Sequence, residues 1–193
     1  MSGATRRAMA IAIVTTFCMM TPAAAAADRW LVGGVPYAGT ARIMGTLTQT
    51  SSSGWTMTCS VIATASLNNP SGVAAGSIGS YLLGTAAGGT CTTNIPNCAV
   101  APVAWIPPAW PISTSGTSVS ISGVLLSYVY TGTGCALNGV ASSSTGSMTG
   151  TISGATITFA NSPGITTPFG PATISGSLSV ATSLSGGSPV VLG

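Results

Sequence analysis

The chain of 193 residues has no lysine, no glutamate and no histidine, and only one aspartate and four arginines. Charged residues make up 3% of it, against about a quarter of an average chain. Past Arg42 the absence is total: the 151 residues from Ile43 to Gly193 hold no ionisable Asp, Glu, Lys, Arg or His. Each absence excludes a class of function. Phosphate recognition needs Lys and Arg, so nucleic acid is not expected as a partner. Calcium needs clustered carboxylates, and none exist. Hydroxyls are plentiful, but no His, Lys or Glu is present to activate one, and the lone Asp28 lies at the expected N-terminus of the mature chain, where termini are usually mobile. GxSxG does not occur. Gly132-Thr133-Gly134 begins a dinucleotide fingerprint, but Leu137 stands where its third glycine belongs, so a turn is the better reading. No catalytic residue, cofactor or metal site is therefore expected. Disorder is a poor alternative, because it accompanies low hydrophobicity and high net charge, whereas 46% of these residues are hydrophobic.

What charge there is sits near the start. Arg6 and Arg7 precede the apolar run Ala8–Met20, Thr21-Pro22 breaks it, and five alanines follow from Ala23 to Ala27. This is the pattern of a secretory signal peptide over residues 1–27, cleaved after Ala27. The apolar run is shorter than the ~20 residues of a spanning helix. Bulky Phe17 before Cys18 speaks against a lipidated cysteine. Residues 28–193 then form a single secreted domain, without a transmembrane segment, whose only charged side chains are Asp28, Arg29 and Arg42. A chain this near neutrality lacks the repulsion that keeps proteins apart.

Four cysteines remain beyond the leader: Cys59, Cys91, Cys98 and Cys135. An even number in an exported chain reads as two disulfides, and the absence of a CxxC knuckle argues against zinc. Three connectivities are open; the pairing expected here is Cys91–Cys98, closing a short loop, with Cys59–Cys135 joining distant strands.

Period-two patterning dominates the rest. In Trp55–Leu67, Trp55, Met57, Cys59, Val61, Ala63, Ala65 and Leu67 point one way, and Thr56, Thr58, Ser60, Thr64 and Ser66 the other, with Ile62 the exception. Ala172, Ile174, Gly176, Leu178 and Val180 alternate with Thr173, Ser175, Ser177 and Ser179, and Ala155, Ile157 and Phe159 continue the theme. Such alternation predicts strands with one buried and one wet face, the wet face built from hydroxyls. Threonine suits that role because its branched Cβ packs well on a pleated surface. Strands are expected near 40–50, 54–67, 73–83, 117–131, 147–160 and 172–182, punctuated by Gly, Pro and Asn, with no helix outside the leader. An Ile-Ser-Gly triplet recurs at Ile121, Ile152 and Ile174, at unequal spacings that argue against a solenoid. The fold class is all-β, an antiparallel sandwich or barrel.

One segment interrupts the alternation. Ala99–Ile112 holds fourteen apolar residues, four of them proline and two tryptophan. Proline removes amide donors, so neither a helix nor a central strand is expected here. The preferred reading is a crossover whose Trp105 and Trp110 plug the core. The alternative is an exposed contact patch of Trp105, Ile106 and Trp110.

The order of motifs adds a resemblance. TCSVIATASL, Gly-Thr-Cys, an apolar segment ending PPAWPI, SVSISGVLLSYVYTGTGC, TGTISGATITFANSPG and ATISGSLSVATSLSGGSPVVLG follow one another along the chain. The succession resembles the secreted bacterial family called protein activator of alkane oxidation. The resemblance implies an extracellular or cell-surface, biofilm-associated protein that aids growth on hydrophobic substrates such as alkanes, without itself oxidising them. The leading expectation is thus a non-catalytic, self-associating or adhesive β-protein whose partners are copies of itself, other surface proteins or hydrophobic surfaces. A pilin-like subunit is the alternative, donating Gly39–Thr50 or Ser188–Leu192 to a neighbour. A carbohydrate- or lipid-binding module with Trp55, Trp105 or Trp110 as platform is a third.

Overall fold

The computed structural model describes residues 28–83, 91–102, 109–183 and 187–193, the side chains of 81–83 and 102 excepted. The expected leader, residues 1–27, lies outside the described residues, as do Trp105 and Ile106. Alternation in the sequence becomes alternation in burial. Trp55, Met57, Cys59, Val61, Ala63, Ala65 and Leu67 are all buried, and so are Ala172, Ile174, Leu178 and Val180.

Among the described residues thirteen strands follow in order: β1 (Trp30–Val32), β2 (Val35–Pro36), β3 (Gly39–Ser51), β4 (Thr56–Asn68), β5 (Ala75–Leu83), β6 (Cys91–Thr93), β7 (Ala99–Pro102), β8 (Trp110–Ser115), β9 (Ser118–Thr131), β10 (Ala141–Ser153), β11 (Thr156–Thr167), β12 (Gly170–Ala181) and β13 (Val191–Leu192). The only helical turn among the described residues is a 3₁₀ turn, Pro70–Gly72. Strands β3, β4, β5, β8, β9, β10, β11 and β12 pair in that order, and β12 pairs back with β3. The sheet is therefore a closed antiparallel barrel of eight strands. Closure explains why long strands with a hydroxylated outer face need no protective charge at an edge: there is no long edge.

The wall between β4 and β9 has two tiers. Near one end β5 pairs with Val61–Asn68 of β4 and β8 with Ser118–Ile121 of β9. Near the other end β6 pairs with Met57 and Thr58, and β7 with Tyr128–Thr131. Strands β7 and β8 come from the two ends of the proline-rich segment, which was not expected to supply strands. Pro111 is accommodated because pairing of β8 to β9 begins only at Ile112, so no donor is needed from it on that side.

The region 147–160, expected as one strand, is two: a hairpin at Gly154-Ala155 separates β10 from β11, with Ser153 opposite Thr156. The Ile-Ser-Gly triplets explain the misreading. Each isoleucine points inward, and each glycine has positive φ: +64° at Gly123, +57° at Gly154 and +130° at Gly176. Yet Gly123 bulges β9, Gly154 turns a hairpin, and Gly176 continues β12 where a Cβ would lie 2.2 Å from the Thr46 carbonyl oxygen. The same three letters thus bend, reverse or continue a strand according to their partners.

Each barrel mouth is closed differently. At the terminal end, Trp30 of β1 enters the core, and β13 and β2 flank β1 in a small sheet. At the cystine end stand both disulfides and four aromatic rings. Inside, the barrel is apolar apart from a few buried polar groups such as Gln49 and Ser144; outside, it is largely hydroxylated. That polarity is the reverse of a membrane-spanning barrel, which turns an apolar band outward. No described helix is long and apolar enough to cross a membrane.

Candidate functional site

The cysteines form two disulfides, but not with the expected partners. Cys59 bonds Cys91, and Cys98 bonds Cys135, at sequence separations of 32 and 37. Cys91 lies on β6, hydrogen-bonded to β4 beside Cys59, so the sheet presents Cys59 with Cys91 rather than Cys135. Cys98 immediately precedes β7, which pairs with the end of β9 just before Cys135. Both bridges therefore fasten the β6–β7 insert to the barrel. Its shortness makes the fastening necessary, since three or four residues per strand supply few ladder bonds.

Around this end Trp55, Tyr128, Tyr130 and Phe169 stack edge-on or tilted. Centroid separations are 5.9 Å for Trp55–Tyr130, 5.0 Å for Trp55–Phe169, 5.4 Å for Tyr128–Tyr130 and 5.6 Å for Tyr130–Phe169. Burial, with a smaller contribution from the neighbouring Tyr128, pushes the Tyr130 phenol far above its ordinary value. It stays neutral at any physiological pH. Beneath the rings a polar chain crosses the interior: Gln49 Nε2 donates to Ser144 Oγ at 3.0 Å, and Ser144 Oγ lies 2.6 Å from the Tyr128 hydroxyl. Buried Ser144 and Gln49 carried no signal in the sequence, where each looks like one more polar residue among many.

The described charges serve the fold. Asp28 accepts a hydrogen bond from Gly116 N, Arg29 Nε donates to the Gly72 carbonyl, and Arg42 donates to the Thr64 hydroxyl. Among the described residues no group of three metal-ligating side chains comes together.

Of the proposed contact residues, Trp110 is buried at 3% exposure on β8, with its ring in the core. It belongs to the plug and not to a surface patch. Trp55 is buried as well, at 4%, so neither ring is free to serve as a flat platform for a ligand. Gly39–Thr50, expected as a donated strand, is most of β3, hydrogen-bonded to β12 on one side and β4 on the other. Ser188–Leu192 likewise lies at home, with Pro189 bridged to Ala181 and β13 paired to β1.

What the barrel does present is an ordered hydroxyl surface. Ser118, Thr151, Thr158, Ser177, Thr46 and Ser60 are paired successively across β9, β10, β11, β12, β3 and β4, and all six are exposed. A second rank runs Ser175, Thr48, Thr58, Thr92, with the Thr48 and Thr58 hydroxyls 2.9 Å apart. Ranks of this kind repeat at the strand spacing of about 4.8 Å. The large hydrophobic side chains that stand exposed among the described residues, Val35, Val73 and Val140, lie off these ranks.

No family model, no curated protein and no solved structure matches this chain.

Proposed function

We propose that this protein is a secreted, non-catalytic cell-surface or biofilm-associated β-barrel that associates with copies of itself, or adheres to other surfaces, through its hydroxylated wall. The observation that carries the reading is the rank Ser118–Thr151–Thr158–Ser177–Thr46–Ser60, six exposed hydroxyls side by side with no charge among them. Bringing two such walls together desolvates no ion, a step that costs several kcal/mol per charge on an ordinary surface. Hydroxyls are both donors and acceptors, so two walls can satisfy one another directly or through shared water. Two disulfides suit an oxidising, extracellular compartment. The resemblance to the alkane-oxidation activators supplies the wider role, support of growth on hydrophobic substrates.

Association through closed walls is favoured over strand donation, because β3 is already paired along both sides. Sedimentation and electron microscopy of the purified chain test the proposal. Concentration-dependent assemblies are expected from the unaltered protein. A triple variant at alternate positions of the rank, Ser118→Lys with Thr158→Lys and Thr46→Lys, should remain monomeric with a nearly unchanged melting temperature, since no two of the lysines stand directly opposite each other. A wild-type protein that stays monomeric and attaches to nothing would remove the basis for this reading.

A further inference from the structure

The outer wall is not evenly convex. Along β11 two grooves open in it, of about 270 and 300 Å³. Inward-facing glycines account for both. Gly150 takes an inner-face position between buried Met148 and Ile152. A Cβ there would lie 2.6 Å from the Thr158 carbonyl oxygen and 3.0 Å from the Phe159 ring. With no side chain to hold it off, the wall sinks onto that ring. A dent opens outside, between Ser118, Thr149, Thr151, Thr158 and Ala160. Gly146 repeats the device, since its Cβ would lie 1.9 Å from the carbonyl oxygen of Gly164. Gly164 lines the second groove together with Pro163, Pro171 and Thr173.

Between the grooves β11 abandons its alternation. The register slips on either side of Ser162, which turns inward and accepts a hydrogen bond from Thr149 N at 2.7 Å. Asn161, with φ +53°, is thereby turned outward beside Ala160, and Pro163 and Gly164 follow it out. Bulges re-aim side chains in this way beside functional sites, and asparagine adopts the left-handed conformation more readily than most residues. The Asn161 amide makes no hydrogen bond to a described residue, so it is open to a ligand. One exposed line thus runs from Thr158 through Asn161 to Gly164. It joins grooves roughly 15 Å apart, at the rise of about 3.4 Å per strand residue.

This line selects a ligand by what it lacks and what it offers. No ionisable side chain stands along it, so a charged ligand would lose hydration and gain no partner. Its hydroxyls and amide both donate and accept, which matches a ligand dense in hydroxyls. The exposed pyrrolidines of Pro163 and Pro171 and the methyl of Ala160 suit the C–H face of a ring. A closed barrel leaves no strand edge here for a peptide to extend. Benzene enters a cavity of about 150 Å³, so each groove has room for a six-membered ring with its substituents. We infer that β11 carries a binding track for an extended, uncharged polysaccharide, with one sugar ring seated in each groove and the units between them passing over Asn161. The inference rests on the adhesive side of the proposed function, and gives that adhesion a surface and a ligand.

Isothermal titration calorimetry of the purified protein tests it. The probes are glucose hexamers in β-1,4, α-1,4 and β-1,3 linkage, glucose itself, and a galacturonic acid hexamer. Saturable binding of at least one glucose hexamer is expected. It should be about tenfold or more tighter than glucose, which cannot span both grooves, and likewise tighter than the charged hexamer. Asn161→Gly keeps the left-handed backbone and removes the amide, and Thr158→Val keeps the strand and removes a hydroxyl. Each should weaken the hexamer about two- to tenfold, with near-ultraviolet circular dichroism unchanged. Should one variant not fold, the other and the wild-type comparison of probes decide. The inference is overturned if no glucose hexamer binds, if the charged hexamer binds as well, or if both variants bind like the wild type. It is also overturned if the variants lose self-association while no hexamer binds, because the track then belongs to a second copy. Sedimentation of the same samples keeps the two readings apart. Assemblies that form without any hexamer binding end this inference alone, whereas hexamer binding by a persistent monomer supports it while self-association fails.

Discussion

The two mouths of the barrel pose the same problem and are closed by different chemistry. At the cystine end, covalent bonds hold a short insert, and four aromatic rings fill the opening. At the terminal end the two ends of the described chain close the barrel together. Arg29 N donates to the Gly193 carbonyl at 2.8 Å, and Gly193 N returns a bond of 3.0 Å. Trp30 Nε1 donates to Ala75 O at 2.8 Å, and Val190, whose N–H donates to the Val180 carbonyl, is fully buried. The cystine end thus depends on a redox state, and the terminal end on hydrogen bonds and one ring. With no ion pair among the described residues, the fold must choose between these means. It uses one at each mouth.

Reduction is the largest perturbation that tells the mouths apart. Each bridge closes more than thirty residues and contributes roughly 2–4 kcal/mol, so losing both takes much of a typical total of about 5–15 kcal/mol. Urea unfolding with and without reductant should show that loss. Hydrogen exchange under mild reduction should show amides of β6 and β7 opening first, while those of β1 and β13 stay protected. Uniform loss of protection would mean that the mouths are one cooperative unit.

The next effect belongs to the terminal end. Trp30 is 1% exposed, and Trp30→Ala should cost about 3–5 kcal/mol. Reduction should then add its own loss nearly in full, because distant sites add. A double perturbation far short of the sum would show that the two mouths communicate. Asn69→Ala probes the same end more gently. Its Oδ1 accepts from Trp30 N at 2.7 Å, and its Nδ2 donates to the carbonyls of Trp30 and Tyr37 at 3.3 and 2.9 Å. Losing this bracket leaves partly buried backbone groups unpaired, at a cost of about 1–3 kcal/mol in chemical denaturation.

The sequence disclosed the two mouths unequally. Inward positions of β4 and β12 could be read from alternation alone, because a two-residue period has one meaning in a half-buried strand. Cysteine number announced two bridges, but their pairing depends on which strands lie side by side, and only the β6–β7 insert brings Cys91 to Cys59. The prolines concealed β7 and β8, since a proline is harmless wherever no ladder bond is required of it. Gly154 sits in a triplet indistinguishable from the one that runs straight through β12, so the hairpin there was invisible. Closure of the barrel, and with it the meeting of Gln49 and Ser144 across ninety-five positions, is a property of the whole sheet and of no local stretch.

The smallest expected effect lies among the aromatic rings and appears only in alkali. Tyr130 is 1% exposed, and its hydroxyl faces that of Tyr128 without making a well-formed hydrogen bond to any described residue. Burial holds its phenol protonated far above its ordinary value of about 10. In the unfolded chain that phenol ionises near pH 10, so above this pH the unfolded state binds fewer protons than the folded one. Stability then falls as pH rises, by at most about 1.4 kcal/mol per pH unit from this residue. Below pH 9 Tyr130 is neutral in both states and contributes no slope. Tyr130→Phe removes the ionisation together with the unpartnered hydroxyl, while the ring contacts to Trp55, Tyr128 and Phe169 remain available. At pH 7 the variant should match or slightly exceed the wild type, within about 1 kcal/mol. Between pH 10 and 11 its urea midpoint should decline less steeply. A variant markedly weaker at pH 7 would show that the hydroxyl does find a partner, and equal alkaline slopes would show that the aromatic mouth admits water freely enough for Tyr130 to ionise in place.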